Sequence, residues 1–176
     1  TQSGGGLGVG LGTALVLQNS VVTQNFAETG GGGLVALEES QVTLIASTVS
    51  ANSTNGDGGG FKGLSEYGVG TRWNFVNSTL SGNSAYFDGG GISNSGTAKL
   101  HNVTIANNTA DSNSDELGDG GGVFVSATGT LNFGNTIIAG NFDNSAVTRH
   151  ADCSGKLTSL GYNLIQKVIG CAMAGR

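Results

Sequence analysis

The chain has 176 residues, 33 of them glycine and none proline, with 37% hydrophobic and 11% charged residues, a net charge of −5 and a pI near 4.7. That length builds one domain with a core. It carries no basic patch to recommend nucleic acid as a partner, no apolar run approaching the roughly 18 residues of a membrane span, and no visible signal peptide. Few charges and abundant Asn, Ser and Thr suit turns and hydrogen-bonded ladders better than helices, and no amphipathic helix is evident.

The first 29 residues introduce a pattern that recurs. Gly4-Gly5-Gly6-Leu7 is repeated as Gly31-Gly32-Gly33-Leu34, Gly58-Gly59-Gly60-Phe61, Gly89-Gly90-Gly91-Ile92 and Gly120-Gly121-Gly122-Val123, at steps of 27, 27, 31 and 31 residues. A second landmark follows each triplet: an apolar residue, two small or polar residues, then Asn25, Asn52, Asn83, Asn108 or Asn141. A sixth copy, Leu160 to Asn163, has no triplet before it. A period of this size marks one stacked supersecondary unit.

Aligned on the Asn, the units show apolar columns. Val22, Val49, Leu80, Ile105 and Ile138 stand three residues before it, Leu17, Leu44, Phe75, Leu100 and Phe133 eight before, and Leu15, Val42, Trp73, Ala98 and Leu131 ten before. Alternate residues within a unit are apolar, the period of a strand with one buried face. Like residues also align between units, as stacked parallel coils require. The expected fold is all-β: a right-handed parallel β-helix of about five coils over residues 1–145, with a divergent C-terminal partial coil or cap, 146–176, in the same domain.

In chain order, coil one (1–29) has strands at Leu7–Val9, Leu15–Leu17 and Val21–Thr23, and coil two (30–56) has the clearest alternation. Coil three (57–87) gains a loop around Ser65 to Val69, and coil four (88–118) gains residues after its Asn, through Asp111 to Leu117. Coil five (119–145) leads into the tail. Glycine at the corners is expected to supply positive φ and a missing Cβ. The Asn column is expected to adopt the left-handed region and to bond Asn to Asn up the stack. Cys153 and Cys171, 18 apart in the last coil, are expected to form a disulfide worth about 3 kcal/mol; the other reading is two buried thiols.

The triplet-plus-aliphatic and apolar-x-x-Asn motifs resemble the repeat of the polymorphic outer-membrane protein family, with Val, Leu or Ile where that family prefers Phe. The tail, Asp152-Cys153-Ser154-Gly155 then Ser159 to Ile165 and Cys171, is similar to secreted bacterial β-helix proteins of the choice-of-anchor type. The resemblance spans essentially the whole chain. It implies a right-handed β-helix outside a bacterial cell or on its surface, and it carries over no catalytic residues. A chain opening at Thr1 inside a repeat and stopping at Arg176 reads as processed, or as a piece of something longer.

Four features could carry chemistry. Asp57, Asp88 and Asp119 precede three successive triplets, where coils one and two have Ser3 and Gly30. Stacked carboxylates about 5 Å apart repel. Either calcium offsets this, with Asp111, Asp115 and Glu116 close by, or each Asp accepts N–H groups at its own turn. Thr48/Ser50, Thr79/Ser81 and Thr104/Ala106 point outward as a partial hydroxyl face, which is either an ice-binding surface or an ordinary polar strand face. Sequons at Asn52, Asn77, Asn102 and Asn107 are incidental to Asn-rich turns. The bases Lys62, Arg72, Lys99, Arg149, Lys156, Lys167 and Arg176 read as scattered, and His101 and His150 fall in different coils without an acid-base partner.

Polysaccharide-cleaving sites need paired carboxylates on a strand face, and no such pair is legible. The expectation is a non-catalytic extracellular structural or adhesive solenoid. Its partners would be itself, head to tail as a fibre, flanking parts of a longer polypeptide, or surface glycans. A carbohydrate-active β-helix is the alternative.

Overall fold

The computed structural model describes residues 4–65, 70–147 and 149–175. They form an all-β solenoid of about six turns in which adjacent coils pair in parallel. Each of the first five coils contributes four short strands. The first follows the glycine triplet: Leu7–Val9, Leu34–Ala36, Phe61–Gly63, Ile92–Asn94 and Val123–Val125. The second row is Ala14–Gln18, Gln41–Ile45, Arg72–Val76, Thr97–His101 and Thr130–Gly134. The third is Val21–Thr23, Thr48–Ser50, Thr79–Ser81, Thr104–Ala106 and Ile137–Ala139. A fourth, two residues long, runs from Phe26–Ala27 to Phe142–Asp143.

Register follows the sequence columns: Val42 pairs with Trp73, Trp73 with Ala98, and Ala98 with Leu131. The inward columns form one continuous core. Leu34, Phe61, Ile92 and Val123 are fully buried, as are Leu44, Phe75 and Phe133. Burying one such side chain contributes about 1.5–3 kcal/mol. Coil three holds an aromatic cluster, Phe61, Trp73 and Phe75, with ring centroids 4.6–5.1 Å apart. Gly63 leaves the indole its space, since a Cβ there would lie 3.1 Å from Trp73 Nε1. That N–H donates to Asn94 Oδ1 at 3.0 Å, so the buried polar end of the ring is satisfied.

The corners correct one expectation. The ladder asparagines do not occupy the left-handed region. The residue before each one does: Gln24, Ala51, Gly82, Asn107 and Gly140 have φ between 53° and 69°. A second left-handed column lies between the second and third strands, at Asn19, Ala46, Asn77, Asn102 and Asn135. The triplets also divide their roles. Positive φ falls on the first glycine of three of them, Gly58, Gly89 and Gly120. The second and third glycines are required by contact. A Cβ on Gly59 would lie 2.4 Å from the Gly90 carbonyl oxygen, and one on Gly60 would lie 3.0 Å from Asn83 Nδ2.

The longer loop of coil three falls largely on residues 66–69, outside the described residues, and Thr71 closes it by donating N–H and Oγ1–H to the Leu64 carbonyl. The inserted loop of coil four is held by Asp111, whose carboxylate accepts the Asp115 and Glu116 N–H groups.

The sixth turn is shortened. Cys153–Ser159 runs straight on as one strand, pairing first with Val123–Phe124 and then with Leu131–Phe133. It joins the first two rows into one sheet of 12 strands. Leu164–Ile165 continues the third row, and Cys171–Gly175 returns to cover Gly155–Ser159. Cys153 and Cys171 are disulfide-bonded, with Cα atoms 5.3 Å apart.

Candidate functional site

The Asn ladder is built from donors that all point the same way. Asn25 Nδ2 donates to Asn52 Oδ1 at 2.9 Å, and Asn52 to Asn83, Asn83 to Asn108 and Asn108 to Asn141 at 2.9–3.0 Å. Each of these oxygens also accepts the backbone N–H of the preceding Asn. From Asn52 onward, each Nδ2 gives its second proton to a carbonyl one coil back, at Val22, Val49, Leu80 and Ile105.

Asn163, in the sixth copy of the motif, is not in this ladder. Because the shortened turn shifts the register, Asn163 Oδ1 accepts Thr136 N–H in a different column, that of Ser20, Ser47 and Ser78. The Asn ladder ends instead on Asp152, which stands opposite the third triplet glycine of coil five. The Ser/Thr column, where Ser47 and Ser78 hydroxyls accept the Ser20 and Ser47 N–H groups, was not legible in the sequence.

The acidic column is real, and its members are engaged locally. Asp119 N–H donates to Asp88 Oδ1 at 2.9 Å, and Asp88 N–H to Asp57 Oδ1 at 3.3 Å, so each carboxylate serves the next coil's backbone. Lys62 Nζ lies 2.8 Å from Asp57 Oδ2 at one end. His150 Nδ1 lies 2.8 Å from Asp119 Oδ1 at the other, an ion-pair distance without hydrogen-bond alignment. Between them Asp88 has no cation of its own. Burial, then the Asp57 carboxylate, lift its carboxyl from 3.8 to about 7.

Asp111 is engaged by its own loop, and Glu116 Oε2 accepts the Ala146 and Val147 N–H groups. Among the described residues no three His, Cys, Asp or Glu side chains gather in a metal-holding group. The column is contacted by backbone donors, Lys62 and His150.

The hydroxyl face covers the third row from coil two to coil four: Thr48, Thr79 and Thr104 stack in register beside Ser50 and Ser81. Val21 and Ile137 interrupt it on either side, 67% and 45% exposed. Of the sequon asparagines, Asn52 is buried in the ladder, while Asn77 and Asn102 bond to each other on the surface.

Three of the bases share one face. Arg72, Lys99 and Lys156 all project, exposed, from the outer side of the second row, and His101 shares that side. Register sets Arg72 beside Thr97, Asn74 beside Lys99, and Lys99 beside Asn132. No Asp or Glu occurs in any strand of this row or in Cys153–Ser159. None of the three cations is in an ion pair among the described residues. The signal lay in the positions either side of the inward column ten before the Asn.

Both ends of the core are open. Leu7 is 37% exposed where Leu34 in the same column is fully buried, and Met173 is 43% exposed where Leu157 is fully buried. Comparison with known proteins brings no significant match to a family model, a curated protein or a solved structure.

Proposed function

We propose that the chain is a non-catalytic structural or adhesive β-solenoid of the cell exterior that works by adding coils end to end, in a fibre or within a longer polypeptide. The observation that carries this is the open core cross-section. Inward residues of the first and last coils, Leu7 and Met173, keep apolar surface that the same columns bury completely in the middle. A strand edge with an apolar cross-section is a template for another coil, and a head-to-tail contact that does not close makes a filament.

The disulfide supports an oxidising compartment. The engaged acidic groups support a structural role, since Asp57, Asp88 and Asp111 accept backbone N–H groups and Asp119 lies against His150.

Negative-stain microscopy across a concentration series, with light scattering, tests this. Unbranched filaments one solenoid wide are expected. A clean monomer at high concentration overturns the fibre.

A further inference from the structure

We propose that the outer side of the second strand row is a binding face for an acidic polysaccharide, a glycan chain bearing uronate carboxylates. The face lies along the side of the solenoid and not on its open cross-sections, so it stands whether or not the ends pair.

Three observations support it. The first is charge segregation. On a chain of net charge −5, three of the seven Lys and Arg residues stand on one acid-free sheet face. No strand of that row contains an Asp or Glu. Cations held apart from acids in a protein that has more acids than bases attract a negatively charged ligand.

The second is shape. A shallow depression of about 410 Å³ crosses three coils and is lined by Gln41, Thr43, Arg72, Asn74, Thr97 and Lys99. Arg72 and Lys99 lie on neighbouring strands, and Lys156 stands two coils beyond Lys99. With coils about 4.8 Å apart, Arg72 and Lys156 share one column three coils apart, and Lys99 lies between them, two residues further along its strand, so the cations form a strip along the solenoid, which suits a linear polymer.

The third is the company the cations keep. Their neighbours are hydroxyls and amides: Thr43, Asn74, Thr97, Thr130 and Asn132. These both donate and accept, as sugar hydroxyls demand. Arg72 offers a planar fork to a carboxylate, and Lys99 and Lys156 offer point charges. The single Trp points its ring into the core, so this row offers no indole for base stacking.

Binding of polygalacturonate is to be measured by titration calorimetry at about 50 mM and about 500 mM salt, below any concentration at which filaments form. Neutral dextran, poly-glutamate and single-stranded DNA are the comparators. The expected result is salt-sensitive binding of polygalacturonate, with dextran inert and poly-glutamate and DNA at least about tenfold weaker. The triple variant R72Q/K99Q/K156Q should bind at least about tenfold less tightly. K167Q, an exposed base off this face, should bind as the parent does. Thermal melts check that each variant is folded, and all the altered side chains are exposed.

No binding at low salt, equal binding by the triple variant, or equal binding of poly-glutamate or DNA overturns the proposal. Microscopy of the same variants separates the two readings. Filaments with no glycan binding sink the face alone, and binding by a permanent monomer sinks the fibre alone.

Discussion

Asn141 Nδ2 donates to Asp152 Oδ1 at 2.9 Å, so a ladder of five asparagines closes on a carboxylate 11 residues further along the chain. Asp152 Oδ1 also receives Asn141 N–H at 3.3 Å, and Oδ2 receives Lys167 N–H at 2.7 Å. In the earlier coils the equivalent position is glycine, and a Cβ there would crowd the ladder amide of its own coil. The last turn reverses the arrangement, because the side chain that fills the ladder position comes from that strand itself.

Asp152→Ala strands three donors in a buried site. Leaving buried donors unsatisfied costs about 1–3 kcal/mol each, and part is recovered by relaxation. Urea denaturation should show a loss of about 3 kcal/mol or more, concentrated in the last turn. A loss under about 0.5 kcal/mol would mean that water satisfies these donors.

Gly59→Ala tests whether the triplet is a contact requirement. Its Cβ would meet the Gly90 and Ser84 carbonyl oxygens at 2.4 and 2.5 Å, both main-chain atoms of the next corner. The substitution should cost more than about 4 kcal/mol or prevent folding. Ala51→Gly acts oppositely, because Ala51 holds φ at 53°. A non-glycine residue there is strained by about 1–2 kcal/mol, so the variant should melt higher.

Asp88 makes stability depend on pH. Its folded carboxyl is raised by burial and by Asp57 from 3.8 to about 7, so the folded state keeps a proton that the unfolded chain releases. The stability this group contributes is fully present below the unfolded value and is lost as pH rises from about 4 to about 7. Asp88→Asn keeps an acceptor for Asp119 N–H and removes the titration. Melting temperature should fall between pH 4 and pH 8 more steeply in the parent than in the variant. Parallel curves would refute the assignment.

Cys171→Ser frees the last strand. Closing a loop of this size contributes about 3 kcal/mol, and Cys171–Gly175 pairs only with Gly155–Ser159 among the described residues. Hydrogen exchange should speed up over 171–175 and at their partners while the middle coils stay protected. Uniform loss of protection would mean that the tail and coils unfold together.

Repeat period, inward columns and the Asn ladder were legible in the sequence, because stacking repeats each side chain at a fixed spacing and the core admits only apolar groups there. Val42, Trp73, Ala98 and Leu131 align in the sequence and in space for that reason. The spacing of Cys153 and Cys171 likewise pointed to their bond.

Three things were decided only by the tertiary structure. The left-handed corner fell on residues such as Ala51 and Gln24 rather than on the ladder Asn, because the ladder needs the asparagine itself turned inward and the preceding residue takes the bend. The ladder closes on Asp152 and the Asn163 of the sixth motif copy falls in another column, because a shortened turn shifts register where no local motif records it. Arg72, Lys99 and Lys156 are far apart along the chain but share one face, because neighbouring coils bring positions of like parity to the same side of a sheet. Local spacing fixes what repeats. Where the repeat is broken, only the path of the folded chain determines which side chains meet.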